Sequence, residues 1–124
     1  MSKATAYFFV LMTIALTVYG QFAIKLKIST VPPTGTGLMD RLGYVVQLYF
    51  SPLILSALVA AVLASACWMA AVSRLPLSHA YPMMAATFVA VTVLGHFYFG
   101  EHVSLRQVVG LCLIVAGIAL GAKG

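Results

Sequence analysis

Apolar residues run in long blocks along this chain, and charged or helix-breaking residues fall almost entirely between the blocks. A helix needs about 20 apolar residues to cross the hydrocarbon of a bilayer. That length recurs four times, over residues 4–24, 52–72, 77–99 and 105–122. The first span carries no charge before Lys25, and Gly20 and Gln21 precede that lysine by about one turn. Residues 29–37 read STVPPTGTG, and paired prolines with two glycines predict a loop. Residues 38–50, LMDRLGYVVQLYF, are apolar but interrupted by Asp40, Arg41 and Gln47. They read as a short interfacial helix or an early extension of the second span.

Local signals mark the other boundaries. Ser51-Pro52 is a helix start, with serine at the N-cap and proline in the first turn. Arg74-Leu75-Pro76 makes a tight turn. Inside the third span Pro82 has no N–H, so the carbonyl of Ser78 loses its partner and a kink is expected. Ser104 and Gln107 have capping-box spacing at the head of the fourth span. In the second span Ala57, Ala61 and Ser65 recur every four residues, as do Ala60 and Ala64, which predicts close helix packing in lipid. The expected fold is an all-α membrane protein: one domain over residues 1–124, with four tightly packed transmembrane helices joined by short turns.

Composition supports this reading. Of 124 residues, 63% are hydrophobic and only 7% charged, far too few for a soluble domain's surface. The opening Met1-Ser2-Lys3 could begin a signal peptide, but the apolar run is too long and no small-x-small cleavage site closes it. The net charge of +5 comes from seven Lys and Arg lying near span ends, which fits lipid headgroups and argues against nucleic acid. Lys3, Arg74 and Lys123 fall on one side, and Lys25, Lys27, Arg41 and Arg106 on the other. The positive-inside rule therefore gives no orientation. Cys67 and Cys112 lie inside apolar runs and read as packing residues. His79, His96 and His102 lack metal-ligand spacing, and neither a metal nor a cofactor is expected. No serine is paired with a base and no phosphate-cradling loop occurs, so the chain does not read as an enzyme.

Four helices, each about 10 Å across, fill their own centre with side chains. A translocation path therefore calls for a second chain. Gly110, Gly117 and Gly121 give the fourth span a face for close helix contact, within the chain or with a partner, and Gly117 with Gly121 forms a GxxxG pair.

Residues 73–120 read SRLPLSHAYPMMAATFVAVTVLGHFYFGEHVSLRQVVGLCLIVAGIAL. The LPLSHAYPM opening, the FGEHVSLRQ turn and the GLCLIVAGI stretch together resemble the second half of small multidrug resistance proteins and their EamA-like relatives in the drug/metabolite transporter superfamily. Gly20-Gln21 and Lys25, with AYPM in the third helix, resemble a narrower group, the bacterial aminoarabinose-phosphoundecaprenol flippase subunits. The multidrug exporters carry a coupling glutamate in the middle of helix one. Residues 4–24 here contain no acid, and proton–cation exchange needs one. The long 29–50 segment also departs from the exporters' compact first loop.

The resemblance implies a dimer, homomeric or with a related subunit, joined through Gly110, Leu113, Gly117 and Gly121. It implies a bacterial inner-membrane flippase for a sugar on a polyprenyl-phosphate carrier. Gln21 and Lys25 share a helix face and suit a phosphate or glycan headgroup, with a snorkelling lysine as the plain alternative. Tyr81 and Pro82 either shape a cavity at the kink or anchor the interface. Glu101 either serves the fourth helix's N-terminus, couples protons or takes part in substrate binding. Arg41 and Arg106 are further headgroup candidates, and His96 reads as a packing residue. An exporter of amphipathic or cationic compounds, and a non-transporting membrane subunit, remain the alternative functions.

Overall fold

A computed structural model describes residues 2–123; Met1 and Gly124, the ends of the expected domain, lie outside the described residues. The fold is all helix, in the order α1 (Lys3–Thr30), α2 (Leu38–Tyr49), α3 (Pro52–Val72), α4 (Leu77–Met83), α5 (Ala86–Phe99) and α6 (Leu105–Gly121). Lys3–Thr30, Pro52–Val72 and, counted across the α4–α5 break, Leu77–Phe99 are long and apolar enough to cross a membrane; Leu105–Gly121 is apolar but shorter. The chain is a multi-pass membrane protein.

The α1–α3 pair is the spine. Ala6, Val10, Thr13, Gly20 and Ala23 are the buried positions of α1, and Ile54, Ala57, Ala60, Ala64 and Ala71 those of α3. Steps of three, four and seven residues keep each set on one helix face. Four of the five α3 positions are alanine, so the backbones approach closely, and a Cβ added to Gly20 would lie 3.7 Å from the Ala57 carbonyl oxygen. This corrects one expectation. Ala57, Ala60 and Ala64 do form the seam, but Ala61 and Ser65 turn away from it and line cavities.

At the end holding Lys3 and Arg74 the bundle is closed. Ala6, Val10, Ala71, Leu75 and Ala80 form a buried cluster, backed by Trp68, Val72 and Met83. The Tyr7 hydroxyl bonds His79 Nε2 at 2.8 Å across α1 and α4.

Boundaries follow local chemistry. α3 starts at Pro52 with Ser51 at the N-cap, although the Ser51 hydroxyl makes no capping bond. At α6 the capping box forms in full, Ser104 accepting from the Gln107 N–H and the Gln107 side chain accepting from the Ser104 N–H. The expected kink is a complete break. After Pro82 the N–H groups of Met84, Ala85, Thr87 and Phe88 each donate three residues back rather than four, a tight 3₁₀ stretch between α4 and α5.

Two further expectations are corrected. The first span does not stop at residue 24: α1 continues through Lys25, Lys27, Ser29 and Thr30, because a lysine at the interface does not break a helix. At 28 residues α1 is about 42 Å long, beyond the hydrocarbon thickness. Nor are all the helices tightly packed, since α6 rests mainly on α4 and α5 and buries none of its own residues. Between the two readings offered for residues 38–50, the chain forms a separate helix, α2, which breaks from α3 at Phe50-Ser51.

Candidate functional site

On α1, Thr13, Thr17, Gln21 and Lys25 follow one another every four residues, so they stack on one face as a polar ladder about 18 Å long. The hydroxyls of Thr13 and Thr17 donate to the carbonyls of Phe9 and Thr13, each at 2.7 Å. Those bonds satisfy both donors inside the helix, and the Thr13 hydroxyl, buried in the α1–α3 seam, also lies 3.5 Å from the Ala64 carbonyl oxygen.

Three cavities line up along this ladder. The largest, about 720 Å³, lies between α1, α3 and the α4–α5 break, with Thr13, Trp68, Tyr81, Pro82 and Thr87 among its walls. The second, about 410 Å³, lies between α1, α2 and α3, walled mainly by apolar residues such as Leu16, Ile24, Leu48 and Leu58. These two share Thr17, Gln21 and Ala64. The third is a nook of about 40 Å³ between α1, α5 and the α5–α6 turn, bounded by Gln21, Phe22, Lys25, Gly95, Phe99 and Glu101. Gln21 borders all three. The Thr87 hydroxyl is buried at the largest cavity and has no hydrogen-bond partner among the described residues. With the Lys3 end closed by the apolar cluster, the ladder leads from the middle of the bundle toward Lys25.

At the ladder's end Lys25 Nζ stands 3.7 Å from Glu101 Oε2. The turn that delivers Glu101 is closely fitted. Gly100 has φ +68°, a left-handed conformation that favours glycine, and the Glu101 N–H donates to the Gly95 carbonyl at 3.0 Å. The Glu101 carbonyl bonds His96 Nδ1 at 3.0 Å. Glu101 folds back over Gly95 so tightly that a Cβ there would collide with Oε1. Phe22 packs edge-to-face on Tyr98 and at a tilt against Phe99 beside it, with ring centroids 4.8 and 5.5 Å apart. Both charged side chains are about half exposed, at 49% and 52%. Such a pair contributes roughly 0–1 kcal/mol to stability.

Of the residues singled out by sequence, the structure brings Gln21, Lys25 and Glu101 to one place, and puts Tyr81 and Pro82 on the larger cavity that Gln21 also borders. Glu101 turns toward Lys25, while the α6 N-terminus is capped by Ser104. Arg41 stands exposed on α2 and lines none of these three cavities. Gly110, Gly117 and Gly121 have nothing from the described chain within 4 Å of an added Cβ, and Leu113 is exposed. Sequence reasoning missed Thr13, Thr17, Thr87 and Gly95. The four-residue period of Thr13, Thr17, Gln21 and Lys25 was a visible signal for the first two.

The EamA-like transporter family matches residues 2–121. A protein of Pseudomonas paraeruginosa named as a probable 4-amino-4-deoxy-L-arabinose-phosphoundecaprenol flippase subunit ArnE is 40% identical over 110 residues, covering 89% of this chain and 90% of its own. A protein of the same name from Pseudomonas aeruginosa is 39% identical with the same coverage. Another, from Pectobacterium atrosepticum, is 45% identical over 53 residues, 43% of this chain and 47% of its own. No solved structure matches the chain.

Proposed function

Because the chain belongs to the EamA-like transporter family, we propose that it is one subunit of a flippase that moves a sugar carried on polyprenyl phosphate across the bacterial inner membrane. The relatives named for 4-amino-4-deoxy-L-arabinose-phosphoundecaprenol make that amino sugar its first candidate cargo. One observation carries the reading: a polar ladder, Thr13-Thr17-Gln21-Lys25, set along cavities whose other walls are largely apolar. A lipid with a charged head needs such a path. Its phosphate and hydroxyls can exchange water for hydroxyl, amide and ammonium groups along α1, while its chain stays in lipid. Lys25 supplies the positive charge at the end where α1 outruns the hydrocarbon.

Dimeric assembly belongs to the same proposal. The stripe of Gly110, Leu113, Gly117 and Gly121 is uncovered within the chain, and such small-residue stripes support helix association in lipid. The partner is a second copy or a related subunit. The single domain spanning all four membrane helices is part of this reading too.

The test is ligand stabilisation of the purified protein. A ligand that binds the folded state raises the melting midpoint with its concentration, by RT ln(1 + [L]/Kd). Short-chain polyprenyl phosphates and their glycosylated forms should raise it, and Lys25→Ala should remove most of the rise. Stabilisation by lipophilic cations alone would replace this reading with the cation exporter.

A further inference from the structure

The Lys25–Glu101 pair is built with more care than its stability contribution explains. Three features fix the Glu101 backbone, namely the left-handed turn at Gly100, the Glu101 N–H bond to Gly95 and the His96 bond to the Glu101 carbonyl, and the bare Cα of Gly95 gives its carboxylate a place to rest. A half-exposed ion pair gains little from such placement. A binding site does, because preorganised charges need not be ordered when the ligand arrives.

From this geometry we infer that Glu101 is the specificity residue for the headgroup's amine: its carboxylate takes the protonated amine of the sugar while Lys25 takes the phosphate. This rests on the flippase reading above and deepens it. A sugar bearing an amine and joined to a phosphate is zwitterionic, and the site offers the complementary pair, cation and anion, 3.7 Å apart beside Gln21. Binding exchanges one internal ion pair for two intermolecular ones, so no charge is left alone. The nook between the two side chains, about 40 Å³, holds no sugar ring. The headgroup therefore meets the pair from its exposed side and from the larger cavity across Gln21, parting the two charges as it enters.

A headgroup lacking the amine fares worse. Its phosphate engages Lys25, but Glu101 is then left unpaired beside an anion. Repulsion of this kind discriminates as effectively as attraction. A half-exposed charge contact changes affinity by up to about fivefold, and the attraction gained by the amine adds to the repulsion avoided. The expected preference for the aminated over the hydroxylated sugar is therefore about tenfold.

The test uses the full chain in lipid nanodiscs with three short-chain probes: polyprenyl phosphate, the same lipid carrying 4-amino-4-deoxy-L-arabinose, and the same lipid carrying arabinose. Affinities are read from Trp68 fluorescence, since Trp68 lines the larger cavity. Wild type should prefer the aminated lipid over the arabinose lipid by about tenfold. Glu101→Gln should abolish the preference, weakening the aminated lipid and tightening the other two. Gly95→Ala keeps every charge but displaces the carboxylate, and should reduce the preference at an unchanged melting midpoint. Lys25→Ala should weaken all three lipids. An unchanged preference in Glu101→Gln, with the lipids still bound, overturns the inference and leaves the flippase reading standing. Equal tightening of all three lipids in Glu101→Gln would show that the carboxylate merely occupies Lys25, and also overturns it. Failure of wild type to bind any of the phosphate lipids overturns both.

Discussion

Small residues and polar residues divide the work of α1 and α3 at the scale of single side chains. Ala60 is 4% exposed on the α1-facing side of α3 and lines none of the three cavities along the ladder, so it reports packing alone. Ala60→Leu would force the two backbones apart. The expected loss is about 1–3 kcal/mol of stability, as for other overpacked interiors. The measurement is a thermal melt in detergent, with the aminated-to-hydroxylated lipid preference as the control that should not move. Polar side chains in and beside the seam behave differently. Thr13 and Thr17 were missed in the sequence although a four-residue period links them to Gln21 and Lys25, because isolated threonines in apolar helices ordinarily bond their own backbone and need no other explanation. What turns them into a ladder is the cavity beside them, and that depends on where α3, α4 and α5 lie.

Single elements were legible wherever the signal was local. Residues 52–72 match α3 to the residue, and the Ser104–Gln107 capping box begins α6 as expected, because proline, serine and glutamine act on backbone within a turn of themselves. The end of α1 was not legible, since lysine is a good helix former and the change from hydrocarbon to headgroup leaves no mark on the backbone. The Lys25–Glu101 pair was beyond reach for another reason: its partners lie 76 positions apart, and only the assembled turn over Gly95 brings them together. Pro82 is intermediate. Its kink was expected from the missing N–H, but the extent of the 3₁₀ stretch and the cavity at the break come from packing. Pro82→Ala should let residues 77–99 run as one helix, recovering part of the roughly 3 kcal/mol that an interior proline costs. The expected outcome is a higher melting midpoint together with a several-fold slower flipping rate in proteoliposomes. An unchanged rate would show that transport does not use the break.

For the whole molecule, the uneven attachment of its helices is the informative feature. α1 and α3 form a close pair, α4 and α5 cover part of it, and α6 leans on α4 and α5 without burying a residue. With 17 residues α6 is about 25 Å long, short for the bilayer, and none of it lines the three cavities along the ladder. A helix so weakly held contributes little to the fold of its own chain, and short helices in lipid gain by association. Gly117→Leu tests this directly. A Cβ at Gly117 meets nothing in the described chain, so the fold of one subunit should be unaffected, within about 0.5 kcal/mol. A leucine there would block the close approach of another helix across the Gly110-Leu113-Gly117-Gly121 stripe. The particle mass in mild detergent should then fall from a pair of subunits to one, and flipping should cease while the melting midpoint of the single chain holds. If the mass is the same for both proteins, the stripe faces lipid, and the second wall of the translocation path must be supplied by another face of the bundle.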